Sequence, residues 1–220
     1  MVELFDYSRA TRLQRELFKQ VIASVERPLF REDEARLVAG LDASYTRGLS
    51  VGVAVLMDLH EMRVVDKKYA VVRAGIPYVP GLLAFREAPG VIRALLELEK
   101  KPDVLMVDGH GLTHPRGFGI ASHVGLVTGI PSVGVAKSRL YGEEKVEGGI
   151  RYVYAHGVKA GVVVEHGGSE LYVSIGYSVT LEQAVRLVKK TLLGHKLPEP
   201  LYRADLYSRE AKRLLDRKTP

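Results

Sequence analysis

The 220-residue sequence contains no cysteine and no asparagine, and only three glutamines. The absence of cysteine excludes disulfide bridges, thiol catalysis and cysteine-ligated zinc or iron–sulfur sites. The scarcity of heat-labile asparagine and glutamine, beside abundant glutamate, lysine and arginine, is typical of proteins from hot habitats. We therefore expect a thermophilic protein that is stabilised by its core rather than by cross-links.

Long apolar runs and several well-known motifs are also missing. No stretch approaches the ~20 apolar residues of a membrane span, and the N-terminus, MVELFDYSRA, has no basic start followed by an apolar run. A cytoplasmic protein without a membrane segment is therefore expected. The absence of GxxxxGK[ST] argues against a nucleotide triphosphatase, and neither GxSxG nor HExxH occurs.

The composition that is present fits one globular unit. Hydrophobic residues make up 46% and charged residues 26% of the chain, which are ordinary values for a folded domain. No repeat or linker interrupts the sequence, so a single domain over residues 1–220 is predicted. The net charge of +6 agrees with a polyanionic partner, although many small basic proteins bind nothing charged.

Hydrophobic patterning predicts an α/β fold. An amphipathic helix is expected from about Ser8 to Val25, followed by valine-rich strands at 37–45, 50–58 and 62–73 that suggest an antiparallel meander. Helices and strands then alternate, which predicts a mixed sheet with helices on its faces. The later helices are expected at 91–100, 119–128, 180–193 and 203–216, and the later strands at 103–108, 132–136, 151–156, 161–166 and 171–177.

Two aspartates stand in otherwise apolar strands. Asp42 lies within LVAGLDASY, and Asp108 ends DVLMVD before the turn GHG. An ionised carboxylate in such a strand is costly unless it is paired or holds a metal. If the two strands are neighbours, the aspartates face each other across ~5 Å of sheet spacing and can share a hard divalent cation. Alternatively, Asp108 caps the following turn and Asp42 pairs with a buried arginine.

Five ordered blocks make the chain resemble the endonuclease V family of inosine-directed repair nucleases. The blocks are VAGLDASY (38–45), PYVPGLLAFRE (77–87), DVLMVDGHGLTHPRGFGIASHVG (103–125), PSVGVAKSRLYG (131–142) and, more weakly, LPEPLYRAD (197–205). The resemblance spans nearly the whole chain. It implies a ribonuclease H-like fold, in which helices flank a mixed five-stranded sheet.

The resemblance also assigns roles to individual residues. Asp42 and Asp108 would bind the metal, Glu87 would complete the acidic cluster, and Lys137 would lie near the scissile phosphate. Asp205 would support a second metal or a water, unless it merely caps a helix. Glu87, before Pro89, is alternatively a solvated residue at a helix end, and Lys137 an ordinary surface lysine.

Substrate recognition is assigned to a second set of residues. Tyr78 would act as a wedge where the inosine base leaves the stack, with Pro77 and Pro80 stiffening its loop. His114 would lie close to the DNA strand or the cleavage site, unless it is a satisfied loop histidine. His110 stands where the resemblance leads us to expect a glutamine or another polar residue. The pocket for the flipped hypoxanthine would be lined by Gly81, Leu83, Gly109 and Leu140.

The activity implied is that of a magnesium-dependent DNA repair endonuclease, with Mn²⁺ able to replace Mg²⁺. It would hydrolyse the second phosphodiester bond on the 3′ side of deoxyinosine and leave 3′-hydroxyl and 5′-phosphate ends. We expect a monomer that binds inosine-containing DNA, and the sequence leaves RNA open as a substrate.

Two other functions compete with this one. A non-catalytic nucleic-acid-binding module would need only the basic charge and an exposed tyrosine, not acidic residues in apolar strands. A different ribonuclease H-like nuclease, such as a Holliday junction resolvase or an RNA–DNA hybrid nuclease, would lack the PYVPG and AKSRLYG blocks.

Overall fold

The structure, a computed structural model, describes residues 5–77 and 79–217. Over these residues a helix precedes a three-stranded meander, two helices then alternate with two strands, and four further strands precede two closing helices. The helices are α1 (Tyr7–Glu26), α2 (Leu83–Leu96), α3 (Ile120–Thr128), α4 (Leu181–Lys190) and α5 (Glu199–Arg217). The strands are β1 (Leu37–Thr46), β2 (Leu49–Asp58), β3 (Arg63–Arg73), β4 (Val104–Asp108), β5 (Ser132–Ala136), β6 (Glu143–Glu147), β7 (Ile150–Ala155), β8 (Val158–His166) and β9 (Ser169–Tyr177).

These strands form one mixed sheet in the order β3-β2-β1-β4-β5-β9-β8-β7-β6. The meander β1–β3 is antiparallel, and β1, β4 and β5 run parallel at the centre. The pairs from β5 through β9 to β6 are again antiparallel. The predicted mixed α/β architecture is confirmed.

The five-stranded sheet that the resemblance implied is wrong, because the part of the chain that the structure describes forms a sheet of nine strands. The free edge of β9 pairs with β8, and two further hairpins extend the ladder through β7 to β6. No pattern in the sequence predicts β6, whose residues EEKVE are mostly exposed and carry no alternating apolar face. This strand forms because its backbone groups pair with those of β7.

Both faces of the sheet are buried, and β4 shows why its sequence is almost continuously apolar. Val104 and Met106 pack in a cluster with residues of α4 and α5, while Leu105 and Val107 pack with residues of α2 and α3. Successive side chains of a strand point to opposite faces, so a central strand between two helical layers needs apolar residues at every position.

Helix α2 differs from the helix expected at 91–100, since it begins at Leu83 and continues through Pro89. An internal proline costs a helix about 3 kcal/mol. Here the helix buries a stripe of small and aliphatic residues against the sheet, which offsets that cost. The stripe comprises Ala84, Ala88, Gly90, Val91, Ala94 and Leu95. The continued helix keeps Glu87 on a rigid element instead of at a frayed end.

A backbone contact fixes how close α2 lies to the sheet. A Cβ added at Gly52 of β2 would lie 2.1 Å from the carbonyl carbon of Gly90. Only glycine at this position of β2 allows the helix to approach so closely. Among the described residues, no helix is both long and apolar enough to cross a membrane.

Candidate active site

Asp42 and Asp108 stand side by side, as the sequence led us to expect. The parallel register of β1 and β4 pairs Leu41 with Val107, and each aspartate follows directly after one of these residues. Both lie on the face of the sheet that α5 covers, because they continue the alternation of the strand residues in that cluster. The sheet thus brings two carboxylates together, with Asp108 at the carboxyl end of β4 and Asp42 within β1, one residue beyond the last pairing of the two strands.

Asp42 is a buried carboxylate whose negative charge is disfavoured by its surroundings. Burial, together with the negative charge of Asp108, raises the pKa of Asp42 to about 6. Hydrogen bonds from the Ala43 backbone and the Ser208 side chain oppose this shift without cancelling it. The alternative in which a buried arginine neutralises Asp42 finds no support in these contacts.

Glu87 reaches the same site from α2 and is only 9% exposed. The hydroxyl of Tyr45 donates to its Oε1 at 2.9 Å, and the Arg86 guanidinium lies 4.2 Å from the centre of the Tyr45 ring. Burial raises the pKa of Glu87 to about 7, and the charges of Asp42 and Asp108 add to the shift. Glu87 therefore belongs to the acidic cluster, and the alternative of a solvated glutamate is wrong.

Lys137 contacts the cluster from the strand next to β4. It follows the last residue of β5, and its Nζ lies 3.2 Å from Oδ2 of Asp108. Partial burial tends to lower the pKa of Lys137, but the charge of Asp108 and their hydrogen bond raise it. The side chain remains 59% exposed, so it can reach a bound substrate as well as Asp108.

Asp205 lies on α5, which packs over the same face. It sits in the second turn of this helix, which begins at Glu199 rather than near residue 203. The alternative role as a helix-start cap is therefore wrong. Arg209 binds both of its carboxylate oxygens, Oδ2 at 2.8 Å and Oδ1 at 3.0 Å. The charge of Asp205 nevertheless contributes to the raised pKa of Asp42.

The chemistry of these residues suits a hard cation, although their present arrangement does not enclose one. Among the described residues, no three acidic or histidine side chains are grouped closely enough to hold a metal ion. Tyr45, Lys137 and Arg209 occupy part of the cluster's oxygens. Carboxylate oxygens such as these are the ligand type that Mg²⁺ prefers.

The residues expected to line the base pocket lie on separate loops, or at the start of a helix, at the same end of the sheet as the acidic cluster. Leu83 opens α2 and is half-buried. Gly109 follows β4 with a φ of 142°, a conformation that favours glycine. Leu140 is 48% exposed and lines an open cavity of about 670 Å³. Tyr78 lies outside the described residues, so its role as a wedge stays a prediction.

His114 is buried rather than exposed to a strand of DNA. It is 4% exposed, and its Nε2 lies 3.0 Å from the carbonyl oxygen of Gly81. Burial and the charge of Arg116 lower its pKa to about 4. This matches the alternative of a satisfied loop histidine, and contact with DNA stays a prediction. His110 bonds through Nδ1 to Thr113 at 2.9 Å.

The sequence patterns do not indicate a role for two polar residues around this site. Tyr45 ends the VAGLDASY block and holds Glu87. Gln14 is fully buried on α1 and bonds to the loop at Gly81. One feature of the sequence does point to Gln14. It lies four residues from both Ala10 and Phe18, so this polar side chain is on the apolar side of the helix, which is expected to be buried.

Comparisons with known proteins point to one family. The family model described as Endonuclease V matches residues 18–206. An Endonuclease V from Desulfurococcus amylolyticus is 52% identical over 93% of this chain and 95% of its own length. The crystal structure of Endonuclease V from Streptomyces avermitilis superposes with a TM-score of 0.88 at 33% identity, covering 97% of this chain and 96% of that chain.

A third relative carries a nucleic acid. Endonuclease V from Ciona intestinalis, solved with a 24mer DNA containing an inosine followed by a ribo-adenosine, has a TM-score of 0.80 and 26% identity. The match covers 94% of this chain and 98% of that chain. The family match across most of the chain, the close relatives and the shared architecture lead to one assignment: this chain belongs to the Endonuclease V family.

Proposed function

We propose that this chain is a magnesium-dependent endonuclease that recognises deoxyinosine in DNA. It would hydrolyse the second phosphodiester bond on the 3′ side of the lesion and leave 3′-hydroxyl and 5′-phosphate ends. The observation that carries the proposal is the juxtaposition of Asp42 and Asp108 where the pairing of the adjacent parallel strands β1 and β4 ends, with Glu87 buried beside them. A binding module would gain nothing from such a costly cluster.

Asp42 and Asp108 would hold the cation, with Glu87 completing the cluster and Asp205 available for a second ion or a water. A bound divalent cation supplies a Lewis acid for the phosphate oxygens. Its positive charge would also offset the burial and the mutual repulsion that raise the pKa values of Asp42 and Glu87. Manganese, which accepts the same oxygen ligands, is expected to support cleavage as well.

The protein's own groups would complete the site. Lys137 is exposed and adjacent to Asp108, so its ammonium can neutralise charge that develops on the phosphate. Tyr45 donates to Oε1 of Glu87 and would thereby hold this carboxylate in place beside Asp42 and Asp108. Each group sits on, or next to, a rigid strand or helix, which keeps the charges in place before substrate binds.

Recognition of inosine is supported by the relatives and by the loops around the site. The Ciona intestinalis relative binds DNA that contains inosine. In this chain the loops after β3, β4 and β5 carry the residues expected to line the base pocket, and they lie at the same edge of the sheet as the acidic cluster. A base extruded from the stack could enter between them.

The test is a cleavage panel with labelled oligonucleotides in Mg²⁺, Mn²⁺ or EDTA. Single- and double-stranded DNA and RNA would each be offered with inosine or adenine, and one DNA would carry a ribonucleotide after the inosine. We expect nicking only with a metal and inosine, and end analysis would locate the cut bond. Equal cutting of adenine and inosine substrates would disprove the proposed specificity, and cutting in EDTA would disprove the metal requirement.

A further inference from the structure

Three side chains converge on one backbone oxygen beside the candidate base pocket. The carbonyl oxygen of Gly81 accepts a hydrogen bond from Nε2 of Gln14 at 3.0 Å, another from Nε2 of His114 at 3.0 Å, and a third from Arg116. A carbonyl oxygen has two lone pairs, so three donors, one of them charged, are more than an ordinary loop carbonyl receives. Three donors on one loop carbonyl indicate that side-chain hydrogen bonds hold the loop at Gly81 in a fixed position.

The convergence point lies inside a tight turn. Leu82 donates its backbone N–H to the carbonyl of Val79 at 2.9 Å, with Pro80 and Gly81 between them and a φ of 77° at Gly81. Proline followed by a glycine of positive φ is the signature of a type II turn. Tyr78 precedes this turn directly in the sequence.

Gln14 is the central residue of the network. Its amide nitrogen donates to the carbonyls of both Gly81 and Phe118, at 3.0 and 3.1 Å, and its Oε1 accepts from Nε of Arg116. All its hydrogen-bonding groups are thereby used, which a fully buried amide requires. Among the standard side chains of this length, only glutamine offers two such donors and an acceptor.

His114 is held in one tautomer by the same network. Its Nδ1 accepts the backbone N–H of Arg116 at 3.1 Å, so the proton of the neutral ring is on Nε2 and points at Gly81. The His114 carbonyl in turn accepts from Nε2 of His156 at 2.8 Å. The ring of His156 stacks against Tyr141, next to Leu140, so the network reaches a second loop of the expected pocket.

We propose that Gln14 is a positioning residue, which fixes the turn at Gly81 and thereby sets the geometry of the base-recognition loop. Gln14 would act through Gly81, with Arg116 and His114 as partners, and would touch neither the substrate nor the metal. The proposal builds on the proposed function, because the loop matters only if it reads the base. It adds a determinant of specificity on α1, remote in sequence from every block that resembles the family.

The test compares variants of two glutamines on α1, the buried Gln14 and the exposed Gln20, and adds a variant of Arg116. Gln14→Leu removes all the polar contacts, and Gln14→Glu keeps an acceptor for Arg116 but removes both donors. Gln20→Leu, at an exposed position of α1, is the matched control. Arg116→Met, at a half-buried position, serves as a milder second disruption should either Gln14 variant fail to fold.

The first measurement is amide hydrogen exchange and does not depend on any substrate. We expect the Leu82 amide to exchange roughly tenfold faster in Gln14→Leu, Gln14→Glu and Arg116→Met, since each loses hydrogen bonds that hold the turn. The amides of β4 should be unchanged, as should all amides of Gln20→Leu. Unchanged exchange at Leu82 in the disrupted variants would overturn the positioning role.

The second measurement is the ratio of dissociation constants for adenine and inosine oligonucleotides, in EDTA. In the disrupted variants this ratio should be roughly tenfold smaller than in wild type. Their cleavage rate at saturating inosine DNA should stay within about twofold of the wild-type rate. Faster exchange with an unaltered preference would also overturn the inference. If wild type itself showed no preference for inosine, the proposed function would fail, and the exchange result would still decide whether Gln14 holds the turn.

Discussion

Lys137 and Asp108 form an ion pair across two adjacent parallel strands, with Nζ of Lys137 3.2 Å from Oδ2 of Asp108. The lysine follows β5 and the aspartate ends β4, so the register of the sheet fixes their separation. This pair places a cation directly beside the carboxylate that we propose as a metal ligand.

Replacing this lysine should separate chemistry from affinity. We expect Lys137→Ala to lower the single-turnover cleavage rate by on the order of 100-fold, because its charge would act on the transition state, and to change the dissociation constant of inosine DNA by less than about threefold. Lys190→Ala, at an exposed position of α4, is the control. Equal losses of rate and affinity would make Lys137 an ordinary phosphate contact.

The metal role of the paired aspartates predicts loss of cleavage without loss of binding. Asp42→Asn and Asp108→Asn should each reduce cleavage in Mg²⁺ to background, because a neutral amide is a poor ligand for a hard cation. Binding of inosine DNA in EDTA should be retained, since the base would be captured by other residues. Near-wild-type cleavage by either variant would contradict the metal site.

The raised pKa of Asp42 predicts that this group destabilises the metal-free fold at neutral pH. Its pKa is about 6 in the folded protein and near 4 when unfolded. The folded state therefore holds the proton more tightly between these values, and its stability increases as pH falls from 6 towards 4. Above pH 6 the ionised form costs the folded state on the order of 3 kcal/mol.

Thermal melts can check this sign directly. In EDTA at pH 8, Asp42→Asn should melt several degrees above wild type, and the gain should shrink towards pH 4. Adding Mg²⁺ should stabilise wild type but not the variant, because binding to the folded state raises its stability. Asp33→Asn is the control, because Asp33 is exposed and lies before the start of β1, away from the acidic cluster. A lower melting temperature for Asp42→Asn in EDTA would contradict the prediction.

The wedge role of Tyr78 is a prediction from the resemblance. Tyr78 lies outside the described residues, so an experiment must test this role. Base–aromatic stacking is worth ~1–3 kcal/mol, so Tyr78→Ala should weaken binding of inosine DNA by roughly tenfold or more. Tyr78→Phe should bind nearly as well as wild type, since the ring fills the space. If Tyr78→Ala melts well below wild type and its folded fraction binds normally, Tyr78 is a packing residue.

The local sequence determined much of the fold and the identity of the acidic residues. The valine-rich strands and amphipathic helices lie close to their predicted positions, because period-2 and period-3.6 patterns reflect burial that each segment carries in its own residues. Asp42 and Asp108 were found because a charge in an apolar strand is conspicuous. The family resemblance rested on ordered blocks, which are also a property of the chain alone.

Long-range pairing decided what the sequence left open. The sheet has nine strands because β6, with no apolar face of its own, pairs through its backbone with β7. Helix α2 passes through Pro89 because packing against β2 outweighs the local penalty of the proline. Gln14 meets Gly81 only when α1 folds back over a loop 67 residues away. Such contacts depend on groups that are distant in sequence, and a local pattern carries no record of which distant groups will meet.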